Sequence, residues 1–436
     1  MPETQLTYRP CGHILTNTAV WSPHSQWIVY DTRSDSAGSM FDGRSIEIVH
    51  VGTGEVREIY RSRHGAHCGV ATFSPIAEQV AFILGPEHPT DDWQYSASHR
   101  QGVIVDLARP GVAVPLDARD LVPPYTPGAL RGGSHVHVFS GDGQWVSFTY
   151  DDHVLEAADA AGDRPHERNQ RNVGVSVLGH AVHVAGSHPR NHNGSAFSVL
   201  VTRTVHELRP GSDDISRAFD DAWIGTDGYL RPDGKRQRKA LAFQGRVTRA
   251  DGGMHAELFV VDLPEDVRVA GEAPLAGTPT TRPAPPRGAQ QRRLTFTDER
   301  NYPGLQGPRH WPRSSPDGGR IACLMRDDAG VVQLWTFSPN GGEPVQVSRL
   351  RFDVASAFSW SPDGRQIAHL ADGSVFVTEV PGGRSQRLTP RLEGDAAPRP
   401  EACVFSPDGR SIAYVRPVHA ADGVWNQVFV VSLDGR

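Results

Sequence analysis

VFSPDGRSIAYV, residues 404–415, decides how this chain is read. Two apolar residues lead into Ser, then Pro-Asp-Gly, then a run in which apolar residues recur. Pro fixes one backbone dihedral and Gly accepts positive φ, so Ser-Pro-Asp-Gly makes a tight turn. The run after it reads as a strand with one buried face, and the whole predicts a hairpin. Variants stand at 20–31 (VWSPHSQWIVYD), 72–84 (TFSPIAEQVAFIL), 138–150 (VFSGDGQWVSFTY), 314–325 (SSPDGGRIACLM) and 359–370 (SWSPDGRQIAHL). Further strands with Gly-bearing turns follow, as in IEIVHVGTGEVREIY, LWTFSPNGGEPVQVS and VFVTEVPGGRSQRLT. Each unit thus holds about four strands and recurs every roughly 40 to 60 residues, the length of a propeller blade. A β-sandwich would not repeat one such unit along a whole chain.

The expected fold is all-β: a seven-bladed β-propeller of four-stranded blades, forming one domain over residues 1–436. Blades are expected to begin near Asn17, His67, His135, His192, His310, Ser356 and Glu401. The fourth, drawn from AFSVLVTRTV, KALAFQGRV and AELFVVDLP, is the least regular, and six or eight blades follow if it is misread. RRLTFTDERNYP and QRLTPRLEGD each end a blade, and TQLTYRP has the same form but precedes the first one. The last blade stops at VFVVSLDGR without an outer strand. Residues 4–8 are therefore expected to supply it, which removes an exposed sheet edge. Irregular insertions are expected at about 157–172, 207–235 and 264–290, with a short helix in SDDISRAFDDAWIG (212–225).

Of the 436 residues, 38 % are hydrophobic and 22 % charged, with 45 Gly and 34 Pro, a globular and turn-rich composition. Net charge is -6 with both signs scattered, so nucleic acid is excluded as a partner. The four cysteines are far apart and form no CxxC pair. Neither a signal peptide nor an apolar run of membrane-spanning length stands out, and a cytoplasmic protein without a membrane partner is expected.

In a propeller, the residues just before each inner strand gather at the channel mouth. Aligned on the Ser-turn, that position holds Asn17, His135, His310 and Glu401, with His67 two residues earlier in its blade. A further loop, SHPRNHNGS, contributes His188 and His192. Neutral imidazoles converging from several blades suit a divalent metal such as Mn, Fe, Co, Ni or Zn. His67, His135, His192 and His310 are the candidate ligands, with Asn17 and Glu401 as supporting groups. A histidine at a strand start also commonly just bonds a neighbouring loop. His137 reads as ligand, base or packed neighbour. Arg131 and Arg309 lie beside the loop histidines, where a guanidinium grips a carboxylate or makes an ordinary loop ion pair. Tyr125 and Trp311 are candidates for stacking or packing. Asp151 and Asp152, like Asp327 and Asp328, suit turns and would rim the pocket if they share its face. No GxSxG, P-loop or HExxH motif is present.

The Ser-Pro-Asp-Gly units resemble the PD40 repeats of TolB-type propellers. HILTNTAVWSP, PYTPGALRGGSHVHVFS, PAPPRGAQQRRLTFT, RHWPRSSPDG and LMRDD resemble the YidR-like family of bacterial proteins over nearly the whole chain. That resemblance implies a propeller and assigns no reaction. A more distant likeness is to the oligogalacturonate lyases, propellers in which histidines and a glutamine hold a metal and arginines bind uronate carboxylates. It implies a small acidic carbohydrate as ligand and metal-assisted β-elimination, with His137 or His188 as base and Arg131 or Arg309 on the carboxylate. No glutamine in matching context is found here. A non-catalytic propeller binding a ligand or protein partner is the alternative, and a hydrolase or isomerase on the same site is another.

Overall fold

The repeated turn explains its own sequence. Ser406 Oγ donates to Asp408 Oδ1 (2.5 Å) and accepts from the N–H of Ser411 (3.0 Å), while Asp408 Oδ1 accepts from Arg410 N–H (3.0 Å). Gly409 closes the turn at φ 73°, a conformation that favours glycine. The same Ser–Asp bond recurs at Ser140/Asp142, Ser315/Asp317 and Ser361/Asp363. Each turn joins the first two strands of a blade.

A computed structural model describes residues 3–35, 38–162, 166–421 and 423–433. Seven four-stranded antiparallel sheets form a β-propeller, as expected. Their inner strands are Gly12–Ile14, Cys68–Phe73, Gly132–Phe139, Ala218–Trp223, Arg313–Ser314, Ser359–Trp360 and Cys403–Phe405. Apolar side chains pack between neighbouring blades: Phe73 and Phe82 of blade 2, for example, lie against Ile46 and Ile59 of blade 1. Three indoles fasten blades around the axis, each donating to an inner-strand carbonyl of the preceding one. Trp21 reaches Val404 O (3.0 Å), Trp223 reaches Val138 O (2.9 Å) and Trp360 reaches Arg313 O (2.9 Å).

The chain's first strand, Glu3–Gln5, pairs with Gly423–Ser432 and completes blade 7. The ladder continues through Leu6 N–H to Val428 O (2.9 Å), and Arg416 grips Glu3 (2.8 Å). The latch expected from TQLTYRP is therefore present, starting one residue earlier than anticipated.

Blade 4 corrects the sequence reading. The strand Gly194–Leu200, expected to open blade 4 after His192, is instead the outer strand of blade 3. The segment expected as a helix contains the strand Ala218–Trp223, the true inner strand of blade 4. Its aromatic, Trp223, is followed by Ile-Gly rather than Ser, and the connection to the next strand carries its own small sheet, Tyr229–Leu230 with Arg236–Gln237. A helix does form at His153–Ala161, capped by Asp152 at one end and by left-handed Gly162 at the other.

Candidate functional site

Up-and-down blades give the channel two unlike mouths. The Ser-turns sit at one, the hairpin mouth. The connections between second and third strands, and from blade to blade, sit at the other, the loop mouth.

At the loop mouth three of the seven inner strands are bulged. Pairing slips between Gly69 and Thr72, between His135 and Val138, and between Phe219 and Ala222. Val70, Val136 and Asp220 there take φ of 60°, 56° and 54°. Positive φ is costly for valine, and bulges of this kind re-aim side chains beside functional sites.

Beside the bulge in blade 3, His135 lies in the field of several cationic side chains. Burial drives its pKa well below the usual 6.5, and the nearby charges of Arg100, Arg171 and Arg309 push the same way. Thr149 donates its hydroxyl to His135 O (3.2 Å), so the 3.3 Å contact from Nδ1 to Thr149 Oγ1 is best filled by an Nδ1–H donor. Nε2 then keeps its lone pair. Arg171 is paired with Asp151 through Nε (2.9 Å), and Arg309 is half-exposed, 3.7 Å from Glu401. Arg100 lies 5.3 Å over the Tyr95 ring, with its buried Nε and Nη1 unpartnered. Burial and the charge of Arg171 lower the pKa values of both Arg100 and Arg217. The mouth is thus a basin of poorly compensated positive charge, which favours anions.

The other sequence candidates fall in several places. His310 is held by its Nδ1 at Gly307 O, and its carbonyl accepts from Gln244 (3.1 Å). Asn17 Oδ1 accepts from Arg313, and His67 Nδ1 is buried without a partner. Four expectations need correction. His137 is sealed between blades 2 and 3 against Gly102, with Nε2 2.9 Å from Ser134 Oγ, and burial lowers its pKa to about 3. Arg131 is also buried: it donates to Asp152 (2.8 Å) and to the carbonyls of Thr278 and Thr281, pinning the blade 4 connection, with Tyr125 beneath it. Neither can meet a substrate. His188 and His192 lie on the loop before the outer strand of blade 3, because that segment does not start a blade. His192 bridges Arg119 there, while His188 sits 6.5 Å from Trp93.

The four proposed metal ligands are therefore not gathered. Among the described residues, the one group of three or more possible ligand atoms within 4.8 Å of one another is His255, Glu257 and Asp298. It is already bonded internally, with His255 Nδ1 and Asp298 Oδ1 left buried without hydrogen-bond partners. Glu257 Oε1 accepts from His255 (2.8 Å), Arg293 (3.0 Å) and Thr297 (2.7 Å), and Oε2 accepts from Thr295. Burial opposes its ionisation, yet bonds from His255, Thr295 and Thr297 hold its pKa down at about 2. Arg293 occupies the place a cation would need. Around His135, the charges of three guanidinium groups likewise oppose a cation.

Arg100, Arg171, Arg217 and Asp220 escaped the sequence reading. A positional signal exists: Arg44, Arg100 and Arg171 each stand immediately before the third strand of blades 1, 2 and 3.

Residues 67–192 match a family described as a protein of unknown function, DUF3748. Over 415 residues, 94 % of each chain, the sequence is 47 % identical to the uncharacterized protein YidR of Escherichia coli (strain K12). Among solved structures, an oligogalacturonate lyase in complex with manganese aligns with a TM-score of 0.57 at 12 % identity, covering 99 % of this chain and 93 % of that one. A second oligogalacturonate lyase, from Vibrio parahaemolyticus, aligns at 0.55 and 10 % identity, covering 99 % and 94 %. The structural likeness extends to the fold alone. Sequence identity over nearly the full length goes further, and the chain belongs to the YidR family.

Proposed function

We propose that this propeller takes a small acidic carbohydrate at its loop mouth and acts on it by lyase-type β-elimination. One observation carries the reading: the charges of Arg100, Arg171 and Arg309 all act on His135, a half-buried imidazole held well below its usual pKa. Guanidinium groups pair with a uronate carboxylate and stabilise negative charge developing on it as the α-proton leaves. The bound anion also offsets the cationic field, which raises the basicity of His135 when substrate is present. His135 Nε2 then takes the α-proton, the new carbon–carbon double bond forms, and the bond to the β-oxygen breaks. That leaving oxygen is protonated from solvent or from the imidazolium.

This reading replaces His137 and His188 by His135 as base, and Arg131 by Arg100 and Arg171. Arg309 is kept. It assigns the charge stabilisation to arginine and routes no step through a metal. A cytoplasmic location, with the acidic sugar as partner, belongs to the same proposal. Among the described residues no helix is long and apolar enough to cross a membrane.

The test is incubation of the purified chain with oligogalacturonate. Calorimetry follows binding, and ultraviolet absorbance follows the unsaturated uronate product. Binding and product, both lost in His135→Ala, are expected. Absence of binding by the unmodified chain would sink the proposal. Binding without product would favour a second reading, a ligand-binding propeller, which the low basicity of His135 supports.

A further inference from the structure

The hairpin mouth holds a cavity of about 430 Å³ lined by residues of all seven blades. His135, Arg100, Arg171 and Arg309 are not among its lining residues, so its lining does not overlap theirs. Its volume falls within the roughly 300–1,000 Å³ range of small-molecule pockets.

Two features define its chemistry. The first is a wall of rings. At the position before the Ser-turn, six blades bring an aromatic, and blade 5 brings Ser314 instead. Trp21, Trp223 and Trp360 cannot swing freely, because each indole N–H is tied to the preceding blade. Their faces are preorganised at little further entropic cost on binding. Ser314 leaves a gap in the wall.

The second is a pair of opposed charges that do not meet. Asp221 and Arg313 both line the cavity and are 7 % and 8 % exposed. Arg313 spends its terminal nitrogens on Pro312 O (2.8 Å) and Asn17, leaving Nε without a partner. Asp221 Oδ2 is also buried without a partner. Buried orphans of this kind call for a water or a ligand. One is a donor and the other an acceptor, and their charges cancel.

We propose that the hairpin mouth is a second binding site, for a neutral ring-sized molecule carrying a hydrogen-bond donor beside an acceptor on one edge. The ring packs on the aromatic wall and the polar edge addresses Asp221 and Arg313. A pyranose diol and a cyclic amide share this chemistry. The site is independent of the acidic-sugar reading, since it uses none of the same residues.

The experiment is ligand-observed magnetic resonance on the full chain, with galactose and uracil as the two neutral probes. Saturable binding of either is expected, and the probe that binds identifies the source. Binding should weaken at least about tenfold in Ser314→Trp, which fills the gap, and in Asp221→Asn. Arg309→Gln, at the other mouth, should leave it unchanged. If Ser314→Trp does not fold, Asp221→Asn with an intact melting transition decides alone. Failure of both probes to bind the unmodified chain overturns the proposal. So does binding that is lost in Arg309→Gln but kept in Asp221→Asn.

Discussion

The two mouths of one channel are built by different rules. At the hairpin mouth, the turn with its Ser–Asp bond recurs in four blades and the aromatic before it in six, so the two patterns largely repeat around the axis. At the loop mouth the blades differ in connection length, in bulging and in charge. Blade 2 brings Arg100, blade 3 brings His135 and Arg171, and blade 5 brings Arg309. Symmetry collects rings, and asymmetry collects ions. Repetition holds the molecule together, and departures from repetition give it chemistry.

Breaking the symmetric mouth should cost most. Trp360→Ala removes a buried aromatic (8 % exposed) and its bond to Arg313 O, with an expected loss of about 3–5 kcal/mol in urea unfolding. A similar loss from an exposed-loop control would contradict the stapling role.

Acid should act next, through groups spread over both halves. His135 lies well below its usual pKa, His137 and His192 near 3, and His153 and His369 near 4, all chiefly through burial. The unfolded chain binds these protons first, so stability present above pH 6.5 is lost as the pH falls. Asp117, Asp220 and Asp221 oppose this, because burial raises them to about 6 and acid relieves their charge. The imidazoles outnumber them. Stability at pH 5 should therefore be lower than at pH 7, read from urea midpoints.

Arg309→Gln sharpens the comparison at the loop mouth alone. It should weaken acidic-sugar binding by about tenfold, or 1.4 kcal/mol, and shift the His135 titration upward, as followed by magnetic resonance. An unmoved His135 would remove Arg309 from the basin. The smallest effect belongs to Asp221→Asn, which should stabilise the fold at pH 7 by about 1 kcal/mol, since a desolvated charge is removed. That gain should fade toward pH 5, where the carboxyl is already protonated.

The same contrast explains what could be read in advance. The Ser-turn is local chemistry, so six of the seven blades followed from it, and the latch followed from the shared form of TQLTYRP and the segments that end blades. Blade 4 lacks that turn after Trp223, and its bulge at Asp220 breaks the alternation that marks a strand, so Ala218–Trp223 passed for a helix. That slip carried His192 to the wrong blade. His137 was misjudged because the bulge between His135 and Val138 separates the surroundings of two residues that an unbroken strand would set side by side. Arg100 and Arg171 carry no motif. Only their shared place before a third strand marks them.

The latch sets a limit in time. Thr7 and Gln427, bonded at 2.7 Å, are 420 residues apart along the chain. Contacts so distant in sequence form slowly, because a very long loop must close before they are made. Each blade can assemble earlier, against its predecessor. The ring shuts last, which leaves blade 7 with an unpaired strand edge until residues 3–7 arrive. Closure, rather than the making of any blade, is then the step that chaperones and proteases have the longest opportunity to intercept.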